Sequence, residues 1–165
     1  MKSDELNSLM DAPVRVRGRL FEDYEVGQEF IHHWGRTMTQ ADSVLFTTLT
    51  LHFNPTYTNE EYAKAIGHER TPVNPLLVFN TILGLSVEDL SEAGGPFLGI
   101  DNLRYGVPVY PGDTLYGSST VIAKRLSSAG GGGPVSWRTV GSNQRGEKVI
   151  EYERTNLIRT SGTKA

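Results

Sequence analysis

The stretch His52-Phe53-Asn54-Pro55-Thr56-Tyr57 sets an imidazole and a phenol five positions apart, on either side of an Asn-Pro corner. An imidazole titrates near neutrality and is a competent base for activating water. A phenol, with an ordinary pKa of ~10, can donate a proton or a hydrogen bond. Proline drives the residue before it out of the helical region, so a helix arriving from the N-terminal side must stop near Phe53. Thr58-Asn59-Glu60-Glu61 reads as a capping box that opens a second short helix, ending at Gly67. A chain that stops, turns and restarts in so few residues brings His52 and Tyr57 toward one side. The chemistry this allows is acid/base handling of one water; the plain alternative is a hydrogen bond across a corner.

Further candidates lie close by in sequence. Asn54 stands at the corner and is a candidate substrate contact. Asn74-Pro75 starts a helix in which Asn74 is the N-cap and Pro75 sits where a missing N–H costs nothing. Asn74 Oδ1 can satisfy only one of the Leu76 and Leu77 N–H groups. The other is expected to be free for a developing oxyanion, where one good donor is worth about 3–4 kcal/mol. His68, in the loop before this helix, is either an exposed loop residue or a group at a site entrance. His32 and His33 are adjacent, so on a strand they point to opposite faces and make a poor metal site.

These residues need elements to hold them. Residues 75–90 are apolar at 76–79, 82, 83, 85 and 87, most of the way round, which predicts a buried central helix. Gly84 lowers helix propensity, so a close approach to a neighbouring backbone is expected there. Before this helix come a strand over about 28–37 and a helix capped by Thr39 with Asp42. Val44, Leu45, Thr48, Leu49 and His52 share one face of that helix. After the Gly94-Gly95-Pro96 break the pattern is β throughout. Strands are predicted at 97–109, 114–126, 135–143 and 148–160. Leu115, Gly117, Ser119, Val121 and Ala123 share one face of the second of these. Tyr110-Pro111-Gly112-Asp113 reads as a type II turn. Ser127 to Pro134, with four consecutive glycines, reads as a hairpin loop without the Lys-Ser/Thr of a phosphate cradle. Serial antiparallel strands around one apolar helix make a single α+β domain over 21–160. A polar arm at 1–20 precedes it and a disordered tail at 161–165 follows.

Composition narrows the function. The 165 residues carry a net charge of −3 and a pI near 5.8, which argues against non-specific nucleic-acid binding. Arg15, Arg17 and Arg19 form only a short basic cluster. With no cysteine, thiolate catalysis, disulfides and Cys-ligated zinc are excluded. No segment is apolar for long enough to span a bilayer or to act as a signal peptide, so the expectation is a soluble cytoplasmic protein.

Three pieces resemble the MaoC-like dehydratase family of (R)-specific enoyl-CoA hydratases, which have the hot-dog fold. They are Asn54-Pro55 followed by Asn59-Glu60-Glu61-Tyr62-Ala63; Arg70-Thr71-Pro72-Val73-Asn74 before the central helix; and the segment from Leu103 through the Pro111-Gly112-Asp113 turn to Leu115. The resemblance covers residues 21–160. It implies a homodimer or a multiple of dimers, with acyl-thioester tunnels at the subunit boundary. It also implies a CoA-type thioester as substrate, and no metal, further cofactor, nucleic acid or membrane.

In the family signature D-x-N-P-x-H the two end residues hold the reacting water, and a glycine N–H at the helix start polarises the thioester. Here His52 stands at the aspartate position, Tyr57 at the histidine and Pro75 at the glycine. The resemblance therefore implies a hydratase or dehydratase with a rearranged dyad of His52 as base and Tyr57 as acid. Asn54, His68, Asn74, Leu76 and Leu77 would then surround the substrate, with His68 near a CoA phosphate. Two other readings stay open. A hot-dog thioesterase would need a carboxylate at the thioester, for which Asp101 is the nearest candidate and Glu88 and Asp89 lie far along the helix. A catalytically silent thioester-binding subunit would pair with an active chain.

Overall fold

The computed structural model describes residues 18–93 and 95–162. Most of the expected N-terminal arm, Gly94 and the last three residues of the expected tail lie outside that range. The strands are β1 (Glu29–Ile31), β2 (Arg36–Thr37), β3 (Phe97–Tyr105), β4 (Thr114–Lys124), β5 (Gly132–Ser142) and β6 (Lys148–Arg159). The helices are α1 (Gln40–Leu49), α2 (Glu60–Ala65), α3 (Pro75–Leu85) and α4 (Val87–Leu90). One antiparallel sheet runs β1-β4-β5-β6-β3, with β2 paired to β4, and α3 packs on it.

Local chemistry explains most boundaries. Thr39 caps α1 by accepting from the Asp42 N–H (3.2 Å), while the Asp42 carboxylate accepts from the Thr39 N–H (3.1 Å). The second helix starts one residue later than its T-x-x-E pattern suggests. Asn59 is the N-cap, accepting from the Tyr62 N–H, because Thr58 is still engaged in closing the turn at Pro55–Tyr57. At the type II turn, Gly112 takes φ +99° and the Asp113 N–H reaches the Tyr110 carbonyl at 3.0 Å. The strand expected over 28–37 is interrupted. Its chain turns inward at His32, and Gly35 passes so close to the Tyr116 ring that an added Cβ would lie 2.4 Å from it.

Burial on β4 alternates as expected through Leu115, Gly117, Ser119 and Val121 and then fails at Ala123, which is exposed. The register steps from Val121 opposite Trp137 to Ala123 opposite Ser136. Ile122 is thus an extra residue, a bulge that turns the rest of the strand over. Two of the four consecutive glycines, Gly132 and Gly133, likewise belong to β5 and not to a loop.

The sheet covers one side of α3. Val78 and Ile82 are buried, while Leu76 and Gly84 are exposed, so burial all round does not hold for the single chain. Gly84 has no neighbour within 4 Å of a built Cβ. The close approach lies across the helix, where a Cβ on Gly141 would stand 2.7 Å from Ile82 Cγ1. The central helix is also two pieces, since Ser86 ends α3 and α4 follows. Helix α1 is turned the opposite way to its apolar pattern. Ser43 and Thr47 are buried, whereas Val44, Leu45 and Leu49 face outward.

The core falls into two apolar clusters, one around Ile82, Leu115 and Tyr152 and one around Leu90, Val121 and Trp137. Between them on the same elements sit buried polar residues: Ser86, Ser119, Thr139 and Arg154. The Arg154 guanidinium donates to Ser86 Oγ (3.2 Å) and Ser91 Oγ (3.3 Å) and lies over the Trp137 ring. Those serines follow the C-termini of α3 and α4, where helix dipoles favour a cation.

Candidate functional site

Helix α1 ends at Leu49, and Leu51 takes the left-handed conformation (φ 56°) that swings the chain back. The His52 N–H then returns to the Thr47 carbonyl at 3.0 Å. Asn54 Oδ1 accepts from the Thr56 N–H at 3.0 Å and so caps the single turn Pro55–Tyr57. Asn54 is exposed, and its side chain shapes the corner through this hydrogen bond. That corner brings the His52 and Tyr57 rings to a centroid separation of 5.5 Å, tilted at 55°.

Asn74 is the hub behind them. It is completely buried, and its backbone N–H donates to Ser43 Oγ at 3.0 Å. Its side-chain nitrogen lies 3.0 Å from both Thr47 Oγ1 and His52 Nδ1, and its Oδ1 accepts from the Leu76 N–H at 3.0 Å. These contacts explain why α1 turns its hydroxyl face inward: a buried asparagine needs partners, and Ser43 and Thr47 supply them.

The spare donor expected at the start of α3 is not there. Pro75 has no N–H, Leu76 donates to the Asn74 side chain, and the Leu77 and Val78 N–H groups both reach the Asn74 carbonyl. One residue has closed the helix N-terminus. The reading of His52 as a base meets a related obstacle, because its Nδ1 is already engaged by Asn74 and only Nε2 is left for a ligand.

Tyr57 opens onto a cavity of about 180 Å³, which it shares with His68, Pro75, Val78, Val107 and Val149 among others. The walls are mostly apolar, and His52 lies behind Tyr57 instead of lining them. Burial raises the Tyr57 phenol above its ordinary pKa. Tyr105, on the same cavity, is raised by burial and then by the neighbouring Tyr57. Both phenols therefore stay protonated at neutral pH and act as donors. His68 Nδ1 meets the Tyr110 hydroxyl at 3.1 Å, and the Arg70 guanidinium lies 5.5 Å from the centre of that ring.

Among the described residues no carboxylate lines this cavity. Asp101 is exposed on β3 opposite Glu153, Glu88 accepts from Trp34 Nε1, and Asp89 is bound to His32. The carboxylates a thioesterase would use are thus engaged or placed elsewhere. Among the described residues no group of three or more His, Cys, Asp or Glu could hold a metal ion.

Sequence reasoning passed over one cluster. His32 is buried, with Nδ1 2.7 Å from Asp89 Oδ2 and Nε2 2.9 Å from Ser119 Oγ, which in turn meets Thr139 Oγ1 at 2.8 Å. The signal was Ser119 itself, a polar residue on the inward face of β4 that needed a buried partner. With His32 3% and Ser119 2% exposed, the arrangement binds the core together.

Comparison with known proteins identifies the family and the fold. A family model described as mesaconyl-CoA hydratase matches residues 2–164. The chain is 39% identical over 142 residues to a β-methylmalyl-CoA dehydratase from Chloroflexus aurantiacus, covering 86% of this chain and 40% of that protein. A crystal structure of a MaoC-domain dehydratase from the same organism superposes with a TM-score of 0.87 at 36% identity, covering 93% of this chain and 44% of that one. A Mycobacterium tuberculosis protein with a double hot-dog fold gives a TM-score of 0.82 over 92% of this chain and 47% of its own, at 20% identity, a likeness of fold alone. The fold is the hot-dog. This chain spans less than half the length of these relatives.

Proposed function

Because this chain belongs to the mesaconyl-CoA hydratase family, we propose that it is a hydratase or dehydratase acting reversibly on a 2-enoyl CoA thioester. The observation that carries the reading is the placement of Tyr57, with His52 behind it, at an apolar cavity beside the start of α3. In hydration, the oxygen of a water adds to Cβ and a proton goes to Cα. The Tyr57 phenol, protonated at neutral pH like any phenol, gives its proton to Cα and takes the one the water releases, so it ends unchanged. His52 supports this by a hydrogen bond from its free edge. Asn54 and His68 contact the rest of the substrate, His68 from beside Tyr110, and no metal or further cofactor is required.

The working unit is a homodimer or a multiple of one. Strand β3 is an edge strand with Phe97, Leu98 and Tyr105 exposed, and α1 presents Val44, Leu45 and Leu49 to solvent. Apolar surface beside open sheet edges is what pairing covers.

Hydration of crotonyl-CoA and mesaconyl-CoA, run beside acyl-CoA hydrolysis on one preparation, tests the function. The expected result is hydration, reduced at least ~100-fold in Tyr57→Phe, the usual scale for losing an acid/base group, and at least ~100-fold in His52→Ala, the usual scale for losing a hydrogen-bond donor to the reacting oxygen. Thioester hydrolysis without hydration would overturn it. A second reading, a thioester-binding subunit that depends on another hot-dog chain, is favoured by the closed helix N-terminus. It predicts tight CoA-thioester binding with neither activity.

A further inference from the structure

We infer that Asn74 is a positioning residue that locks His52 in a single tautomer, with its hydrogen on Nε2, so that His52 meets a ligand as a donor and not as a base. The functional part of this rests on the hydratase reading above; the tautomer itself does not.

One partner of Asn74 cannot change its role, the Leu76 N–H. A side-chain amide can be placed either way round, and its orientation follows from its neighbours. The Thr47 hydroxyl can turn to donate or accept, and a neutral imidazole can carry its hydrogen on either nitrogen. The Leu76 N–H is a fixed donor, 3.0 Å from one end of the Asn74 amide, so that end must be the oxygen. The NH₂ end is then directed at Thr47 Oγ1 and His52 Nδ1, each at 3.0 Å, and has one hydrogen for each. Nδ1 must receive, which places its lone pair toward Asn74 and leaves the ring hydrogen on Nε2. The alternative tautomer would set two donors against each other at a fully buried amide, which leaves a polar group unmet.

The same residue that consumes the helix N–H groups therefore fixes another donor nearby. Pro75, Leu76 and Leu77 offer no free N–H, whereas Nε2–H of His52 is preset as one. A neutral imidazole in this state is an electrophilic donor that polarises an oxygen without carrying a charge. Its acceptor in a working complex is the oxygen of the bound water or of the thioester carbonyl. The base that the position of His52 suggests is excluded for as long as Asn74 holds Nδ1.

The test is the ring nitrogen spectrum of His52 in the ¹⁵N-labelled full chain, assigned by the signals lost in His52→Gln. At a pH where the ring is neutral, the expected pattern is a bare Nδ1 and a protonated Nε2; a proton on Nδ1, or an even mixture, overturns the inference. Asn74→Asp keeps an acceptor for the Leu76 N–H, since aspartate is also a good N-cap, but turns a carboxylate oxygen toward Nδ1. The proton should then move to Nδ1, and an unchanged tautomer in that variant overturns the inference. Thr47→Val removes the other amide partner and should leave the tautomer as it is; a switch there would show that Leu76 does not set the amide. Should Asn74→Asp fail to fold, the wild-type spectrum alone decides. The spectra need no substrate, so the tautomer can be upheld while hydration is absent, or refuted while hydration is intact.

Discussion

Nδ1 of His32 stands 2.7 Å from Oδ2 of Asp89, and the other nitrogen of the same ring meets Ser119, so one buried side chain ties the end of β1 to α4 and β4. His33 and Trp34 extend the clasp to Glu88, at 3.7 Å and 2.9 Å. His32→Leu keeps the bulk and removes both hydrogen bonds, leaving Ser119 with only Thr139 and Asp89 without this partner. The expected loss is about 1–3 kcal/mol, the cost of an unmet buried polar group. Urea unfolding measures it, and a midpoint equal to wild type would show that the clasp contributes nothing to stability.

Gly141 lies under α3, where a methyl group would meet Ile82 Cγ1 at 2.7 Å and Ile150 Cγ2 at 2.8 Å. Gly141→Ala should therefore lift the helix from the sheet at a cost of about 1–3 kcal/mol, the usual range for overpacking. Thermal unfolding reads this directly. Gly84→Ala provides the contrast: with open space around it and a helical backbone, it should stabilise by up to about 1 kcal/mol. A loss of stability at Gly84 would mean that a partner subunit fills that space.

Asp113 closes the Tyr110–Asp113 turn and should set part of the acid limb of stability. Its burial favours the neutral acid, but hydrogen bonds from the Tyr110 N–H (2.9 Å), Gln144 (2.8 Å) and Arg145 (3.0 Å) outweigh that and hold its pKa below the ordinary value. A depressed folded pKa means that the unfolded chain binds the proton first. The contribution is therefore complete above the unfolded value of ~3.9 and is lost as pH falls through the lower folded value. Urea midpoints from pH 6 downward should drop below about pH 4, and Asp113→Asn should flatten that drop. An unchanged acid limb in Asp113→Asn would remove Asp113 from the account.

The outward apolar face of α1 carries the assembly prediction. Leu45 and Leu49 are 60% and 72% exposed, so placing glutamate at both disturbs nothing inside the chain. Sedimentation should show the wild type as a dimer or a multiple of one and the double variant shifted toward monomer, with far-ultraviolet circular dichroism unchanged. A wild-type monomer at micromolar concentration would rule out the pairing.

The sequence by itself determined whatever depends on neighbours a few residues away. The Thr39–Asp42 box, the Asn74-Pro75 helix start, the Pro111-Gly112 turn and the alternation on β4 as far as Val121 are all local geometry written in residue types. So is the corner that brings His52 and Tyr57 together, since proline and the next helix cap leave the chain little choice. The tertiary structure decided what depends on a partner far along the chain. Apolar periodicity gathered Val44, Leu45 and Leu49 on one face of α1, but the hydrogen-bonding demand of a buried Asn74, 27 residues beyond Thr47, turned the hydroxyls inward instead. A bulge at Ile122 inverted the end of β4, and pairing with Asp89 and Ser119 made His32, which the sequence marked only as one of two adjacent histidines, a core residue. Which donor remained open at the site was decided in the same way. A buried amide has to meet every group around it at once, and those groups come together only when the chain has folded.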